Sequence, residues 1–178
     1  MDNFHISDSC DATVTRKTGG YYVVECRGAD GQLKWKDDIN NLVTTVGLNL
    51  TCNTILGNSA AGAIVMGLKG TGTAAASDTQ ASHVTWNEIG GANAPTYSGD
   101  RKTPAFSAAS GGVKTTSGAV VFSMTGSGTV AGCFINIGGS ATKDNTTGTL
   151  FSAGDFTAGS KIVTSGDTLS VSYTLTAA

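Results

Sequence analysis

The sequence predicts an all-β protein, a β-sandwich or jelly roll of antiparallel sheets with one helix at about residues 38–56. The clearest evidence is near the C-terminus, where Leu169, Val171, Tyr173 and Leu175 alternate with serine and threonine. A period of two places the four large side chains on one face of a strand. Short apolar runs at near-regular spacing, separated by Gly-rich turns, favour the same class. The 25 glycines against two prolines fit many tight turns.

The predicted domain organisation is a polar N-terminal arm followed by one β-sandwich domain. A chain of 178 residues is long enough for a single domain with its own core. Residues 1–20 are polar and contain three aspartates, which predicts an arm that is held only when something binds it. The β-sandwich domain is then expected over residues 21–178.

The first strands are predicted to form a hairpin. Residues 21–27 are rich in aromatic and β-branched side chains, and residues 32–36 alternate as a returning strand. Asp30-Gly31 between them is a typical hairpin turn.

The helix is predicted from one apolar stripe at i, i+3, i+4, i+7 and i+11. Its members are Ile39, Leu42, Val43, Val46 and Leu50. Asp37 and Asp38 precede the stripe, where acidic side chains suit a helix N-terminus.

The remaining predicted strands follow the same signals of apolar runs between turns. The ranges are residues 63–69 as a central strand, then 84–89, 119–124 and 130–136. Residues 90–103 are predicted to be a long loop, a feature that is often functional. The pair Ile162-Val163 is predicted to form a hairpin with the C-terminal strand through the turn residues Ser165, Gly166 and Asp167.

Charge and hydropathy restrict the partners. Charged residues make up 13% of the chain and the net charge is −2, so self-repulsion is weak and association with copies or a larger partner is favoured. A neutral surface solubilised by hydroxyls is the alternative. A scattered set of 11 Lys and Arg does not form the basic patch that nucleic acid requires. No apolar run approaches the roughly 20 residues of a membrane span, and the N-terminus lacks secretory-signal features.

The four cysteines are predicted to be reduced core residues rather than disulfides or metal ligands. They are Cys10, Cys26, Cys52 and Cys133, and none forms a CxxC pair. Reduced thiols in apolar runs behave as small hydrophobes, which fits folding in a reducing cytoplasm.

No pattern in the sequence predicts catalysis, a metal or a cofactor. A glycosidase or depolymerase needs two carboxylates at a working separation, yet the only glutamates are Glu25 and Glu88 and most aspartates lie in turn contexts. The two histidines, His5 and His83, lack metal-ligand spacing. No GxSxG or Walker pattern is present. We therefore expect a non-enzymatic protein.

Four side chains are candidates for a partner interface. Trp35 and Trp86 are of the type enriched at binding hot spots, although Trp also commonly caps a β core. Tyr97 and Arg101 lie in the long loop at residues 90–103.

Four segments in order carry a resemblance to a known class of proteins. They read YVVECRGADGQLKW, NNLVTTVGLN, VMGLKGTGTAAASDT and LFSAGDFTAGSKIVTSGDTLSVSYTLTA. Their order resembles small virion proteins of tailed bacteriophages that are encoded near the major capsid protein. The resemblance implies a β-sandwich or jelly-roll capsid decoration (cement) protein, made in the host cytoplasm. It also implies that dimers or trimers bind the major capsid protein on the virion surface.

Two functional hypotheses remain from the sequence. The first is a decoration protein that stabilises the shell by bridging capsid subunits, with many copies acting together. The second is a tail-fibre or head-fibre module that recognises host glycans, suggested by Tyr97 in the long loop and nearby Trp86.

Overall fold

The computed structural model describes residues 18–57 and 60–177. This part of the chain contains eleven strands and one helix. The strands are β1 (Thr18–Arg27), β2 (Leu33–Val43), β3 (Ile64–Lys69), β4 (Glu88–Ile89), β5 (Val113–Thr115), β6 (Val120–Ser123), β7 (Gly128–Val130), β8 (Gly132–Ile137), β9 (Thr149–Asp155), β10 (Lys161–Val163) and β11 (Thr168–Ala177), and the helix is α1 (Thr45–Ile55).

Nine of these strands form one antiparallel sheet in two halves. The alternating half contains β5 and β6 paired with β11, then β1 and β2. The enclosed half contains β9, β8, β3 and β4. Strand β2 belongs to both, because its residues up to Asn41 pair with β1 while Leu42 and Val43 pair with β9. Strands β7 and β10 form a separate two-stranded sheet.

The two halves share one hydrophobic core. Tyr22 and Val171 of the alternating half and Met66 and Ile135 of the enclosed half belong to the same buried cluster. The Tyr22 and Tyr173 rings pack with centroids 4.6 Å apart. Burying each such side chain stabilises the fold by about 1.5–3 kcal/mol. The predicted all-β class with one helix is confirmed, and the jelly-roll topology stays a prediction.

The enclosed half is also covered on its other face. Trp86, Phe134, Leu150 and Ala153 form a second buried cluster, and Trp86 comes from a connecting segment rather than a strand. Phe134 lies over Gly67 of the adjacent strand, where a Cβ atom would collide with its ring. We call the connecting residues 70–87, 90–103 and 138–148 the loop layer.

The strand predictions with the clearest patterns are confirmed. Strand β11 buries Leu169, Val171 and Tyr173 and exposes more of the residues between them. The hairpin at Asp30-Gly31 joins β1 to β2, and Gly31 has φ of 78°, which favours glycine. Residues 63–69 contain the buried strand β3.

The predicted helix boundary is wrong, because the first part of residues 38–56 is strand. Ile39 is fully buried opposite Tyr22 in the β1–β2 ladder, and this pairing overrides the helical spacing. The helix begins after Thr44, whose side chain accepts a hydrogen bond from the Gly47 N–H at 3.0 Å. Asp37 and Asp38 therefore lie in β2 and do not cap the helix.

Three other predictions need correction or restriction. Ile162 and Val163 do not pair with the C-terminal strand, because β10 pairs with β7. The predicted strand 84–89 contains only the short β4. Most of the predicted arm, residues 1–17, lies outside the described residues, whereas Thr18, Gly19 and Gly20 already belong to β1.

The cysteines divide by position. Cys26 and Cys133 are buried free thiols as expected, whereas Cys52 is exposed on α1 because its helix face is not covered. Cys10 lies outside the described residues. In the described part of the chain, no helix has the length and apolar character needed to cross a membrane.

Candidate functional site

Three of the four predicted interface residues lie inside the protein. Trp86 and Tyr97 are each 2% exposed and Arg101 is 3% exposed. Such side chains have almost no surface to offer a partner in this conformation. Trp35 is half-buried, with its Nε1–H donating to the Ile162 carbonyl at 3.3 Å.

Arg101 instead forms a buried ion pair that organises the loop layer. Its Nε and Nη2 atoms donate to the two carboxylate oxygens of Glu88, at 2.9 and 2.6 Å. Its remaining donors reach the carbonyls of Ser140 and Asn145, at 3.0 and 2.8 Å. The Asp144 N–H also donates to Glu88 at 2.9 Å. One paired guanidinium thus joins three separate segments of the chain, as a bidentate Arg–carboxylate geometry allows.

Two further contacts fix the same region. Lys69, fully buried at the end of β3, forms an ion pair with Asp155 and donates to the carbonyls of Gly70 and Gly72. Tyr97 packs edge-on against Phe122 and lies beneath the Lys143 ammonium, whose Nζ is 4.3 Å from the ring centroid. Burial raises the pKa of the Tyr97 hydroxyl well above its usual range.

Beside this framework lies a polar pocket of about 310 Å³. Its walls come from three parts of the chain, around residues 80–88, Asn93 and residues 144–146. The lining residues are Gln80, Ala81, Ser82, His83, Val84, Trp86, Asn87, Glu88, Asn93, Asp144, Asn145 and Thr146. Four of these twelve residues carry side-chain amides, so the pocket is suited to hydrogen bonding.

Gln80 and His83 define the chemistry of this polar pocket. Gln80 is 2% exposed; its Nε2 donates to the Asn145 carbonyl at 3.2 Å, while its buried Oε1 has no partner. The His83 ring stacks on Trp86 with centroids 3.9 Å apart. Its Nδ1 lies 2.9 Å from the Trp86 carbonyl, so Nδ1 carries the proton and Nε2 is left for another contact. Asp78 holds the Trp86 indole through a 2.9 Å hydrogen bond.

A second, chemically opposite feature is the outer face of α1. Leu48 is 42% exposed, Ile55 75% and Leu56 79%, and Cys52 is exposed between them. The i, i+4 and i+7 spacing of Leu48, Cys52 and Ile55 places them on one side of the helix, and Leu56 follows as its C-cap residue. We call these four residues the α1 surface. The opposite side is fixed at Gly47, where a Cβ atom would collide with the Phe151 backbone.

The α1 surface lies in a stretch without charge. Residues 39–68 contain no Asp, Glu, Lys, Arg or His. Apolar side chains that remain exposed in such a neutral setting mark an association surface more strongly than isolated exposed leucines do.

The buried thiols are unsuited to nucleophilic chemistry. Burial, with Asp167 nearby, raises the pKa of the Cys26 thiol to about 11. Burial also raises the pKa of the Cys133 thiol far above its usual range. Both remain protonated at neutral pH, and the thiolate is the reactive form. Within residues 18–57 and 60–177, no three His, Cys, Asp or Glu side chains are grouped as a metal site.

Comparison with known proteins adds no assignment. No protein-family model, curated protein or solved structure matches the chain. The two surface features therefore have to be interpreted from their own residues.

The sequence contains a signal that indicates the α1 surface, but none that indicates the polar pocket. The absence of charge over residues 39–68 is visible in the sequence and points to the α1 surface. Nothing in the spacing of Gln80, His83 and Asn145 indicates a shared pocket, because strand pairing brings these distant loops together.

Proposed function

We propose that the protein is a non-enzymatic bacteriophage capsid decoration protein that binds the outer shell as a homo-oligomer. The observation that carries the proposal is the α1 surface, an exposed apolar helix face inside the charge-free stretch 39–68. The resemblance to small virion proteins supplies the biological setting.

The neutral character of the α1 surface favours a second copy of the chain as its partner. In a symmetric contact each residue meets the same patch on the other subunit, so any unbalanced charge would repel itself. Residues 39–68 bring no charge to such a contact. Burial of Leu48, Ile55 and Leu56 would then provide the apolar driving force.

Bridging is the proposed mechanism of stabilisation. An oligomer that contacts two neighbouring capsid subunits adds buried area across their boundary. The second contact is effectively intramolecular once the first has formed, so modest individual affinities suffice when many copies act on one shell.

Substitution of Leu48 tests the oligomeric part of the proposal. Leu48→Asp introduces a charge into the α1 surface, and we expect the dissociation constant of the oligomer to rise at least tenfold. Analytical ultracentrifugation measures this across a concentration series. Asn53→Asp is the matched control, because Asn53 is exposed on the same helix but outside the apolar stripe. Sedimentation of Leu48→Asp identical to that of the wild type would reject the α1 surface as the interface.

Electron cryomicroscopy of particles with and without the protein tests the capsid part. We expect difference density at symmetry-related positions over the shell, and greater heat resistance of decorated particles. Density confined to the tail or to a fibre would support the alternative, a host-recognition module. Particles that lack the protein but match the wild type in heat resistance, and do not rebind it, would contradict decoration.

A further inference from the structure

We infer that the polar pocket between residues 80–88, Asn93 and residues 144–146 binds a neutral pyranose sugar. The inference does not depend on the α1 surface or on capsid binding. It replaces the predicted glycan platform of Trp86 and Tyr97, since both rings are buried.

The first argument is the polar lining of the pocket. The buried Gln80 side chain belongs to the wall, where its amide donates to the Asn145 carbonyl. Asn87 and Thr146 add exposed polar side chains nearby. A ligand rich in hydroxyls, each of which can donate and accept, matches this mixture of amides and hydroxyls.

The second argument is an apolar strip within the same pocket. Val84 is 91% exposed, and the His83 ring lies flat on the buried Trp86 indole. A pyranose has the complementary character, with C–H groups on its ring faces and hydroxyls around its edge. A fully polar ligand would leave Val84 in water.

The third argument is charge. No lysine or arginine lines the polar pocket. The Glu88 carboxylate is neutralised by Arg101 and also accepts from the Asp144 N–H. The Asp144 carboxylate accepts from the Ala92 N–H at 2.7 Å and leaves a negative charge at the wall. Anionic ligands are therefore disfavoured.

The walls are also held in place before a ligand arrives. The Asn145 carbonyl accepts from both Gln80 and Arg101, which ties one wall to the buried ion pair. A prearranged site loses less conformational freedom on binding. The volume of about 310 Å³ lies at the lower end of the roughly 300–1,000 Å³ of ligand pockets, which suits one ring.

Saturation-transfer NMR with the full-length protein provides the test. The probes are the methyl glycosides of glucose, galactose and N-acetylglucosamine, with N-acetylneuraminic acid as the anionic arm. We expect transfer to at least one neutral glycoside and none to the anionic sugar. Asn87→Ala and Thr146→Val, both at exposed positions, should each raise the Kd several-fold, whereas the control Asn53→Ala on α1 should not change it.

Three results would overturn the inference. The first is the absence of transfer to all three neutral glycosides. The second is transfer to N-acetylneuraminic acid alone. The third is a neutral glycoside whose Kd is unchanged in both Asn87→Ala and Thr146→Val, which would locate binding elsewhere.

Discussion

The alternating and enclosed halves of the sheet differ in how many of their faces are buried. The alternating half buries one face and leaves the other in water, as the pattern of β11 illustrates. The enclosed half is buried on both faces, since β8 has five consecutive buried residues. Its second face is covered by the loop layer rather than by another sheet. Irregular segments therefore become part of the core, and the charges they carry must be paired inside it.

The ion pairs of the two halves differ accordingly. Lys36 and Glu25 pair across the water-facing side of the alternating half, 3.0 Å apart, with side chains 56% and 33% exposed. Arg101 and Glu88 pair beneath the loop layer with side chains 0% and 3% exposed. Exposed pairs contribute about 0.2–1 kcal/mol, whereas removal of one partner from a buried pair costs about 3–5 kcal/mol.

The largest expected effect comes from breaking the buried pair. Arg101→Met should lower the free energy of unfolding by about 3–5 kcal/mol, because Glu88 remains buried without its partner. Lys36→Met is the matched control at the exposed pair and should cost about 1 kcal/mol or less. Urea denaturation followed by fluorescence measures both.

A double variant makes this comparison sharper. Arg101→Met combined with Glu88→Gln removes the unpaired charge of the buried Glu88 carboxylate. We expect this double variant to be more stable than Arg101→Met alone. If Arg101→Met and Lys36→Met have equal effects, the proposed difference between the halves is wrong.

The next effect concerns Asp167, a buried carboxylate at the rim of the alternating half. Burial acts to raise its pKa, but Lys34, whose Nζ lies 2.6 Å away, and hydrogen bonds from Thr164 outweigh burial and hold the pKa below its usual value. A carboxylate with a lowered folded-state pKa stabilises the protein above the unfolded-state value of about 3.9, and this stabilisation is lost as pH falls through the folded-state pKa.

Asp167→Asn should therefore cost about 1.5–3 kcal/mol at pH 7 and less at pH 2–3. Urea denaturation from pH 7 downward measures the difference between the variant and the wild type. A difference that does not shrink on acidification would show that the Asp167 charge is not the source of the stabilisation.

A smaller effect is expected where the two halves meet. Thr44 follows β2, caps α1 through Gly47 and donates from its hydroxyl to the Leu150 carbonyl of β9. Thr44→Ala should lower the free energy of unfolding by about 1 kcal/mol. The control Thr45→Ala lies at an exposed position and should change it by less than about 0.5 kcal/mol. Equal losses in both variants would argue against the capping role of Thr44.

The alternating half is easier to predict from sequence than the rest for a physical reason. In a strand with one face in water, apolar and polar side chains alternate with a period of two. This alternation makes residues 21–27 and the C-terminal strand recognisable. At β2 and α1 the signal fails, because Ile39 and Val46 fit one helical stripe although the chain passes from strand to helix between them. Local spacing cannot show that Ile39 pairs with Tyr22.

The site is harder to predict, because its residues are joined only by the folded chain. Trp86 and Arg101 stand out in the sequence, but burial in the loop layer gives them a structural role in place of an exposed one. Arg101 and Glu88 lie thirteen positions apart in a stretch without regular periodicity, so no spacing rule connects them. The sequence can suggest the residues but not their partners.

Hydrogen exchange tests the central claim, that the loop layer is a packed part of the core, most directly. The Lys102 N–H donates to the Met66 carbonyl at 2.9 Å, the Arg101 N–H to the Ala141 carbonyl at 2.9 Å, and the Asp144 N–H to Glu88. We predict that these three amides exchange about as slowly as those of the buried strand β8, and much faster in Arg101→Met. Rapid exchange in the wild type, at the rate of exposed loop amides such as that of Val84, would contradict the claim.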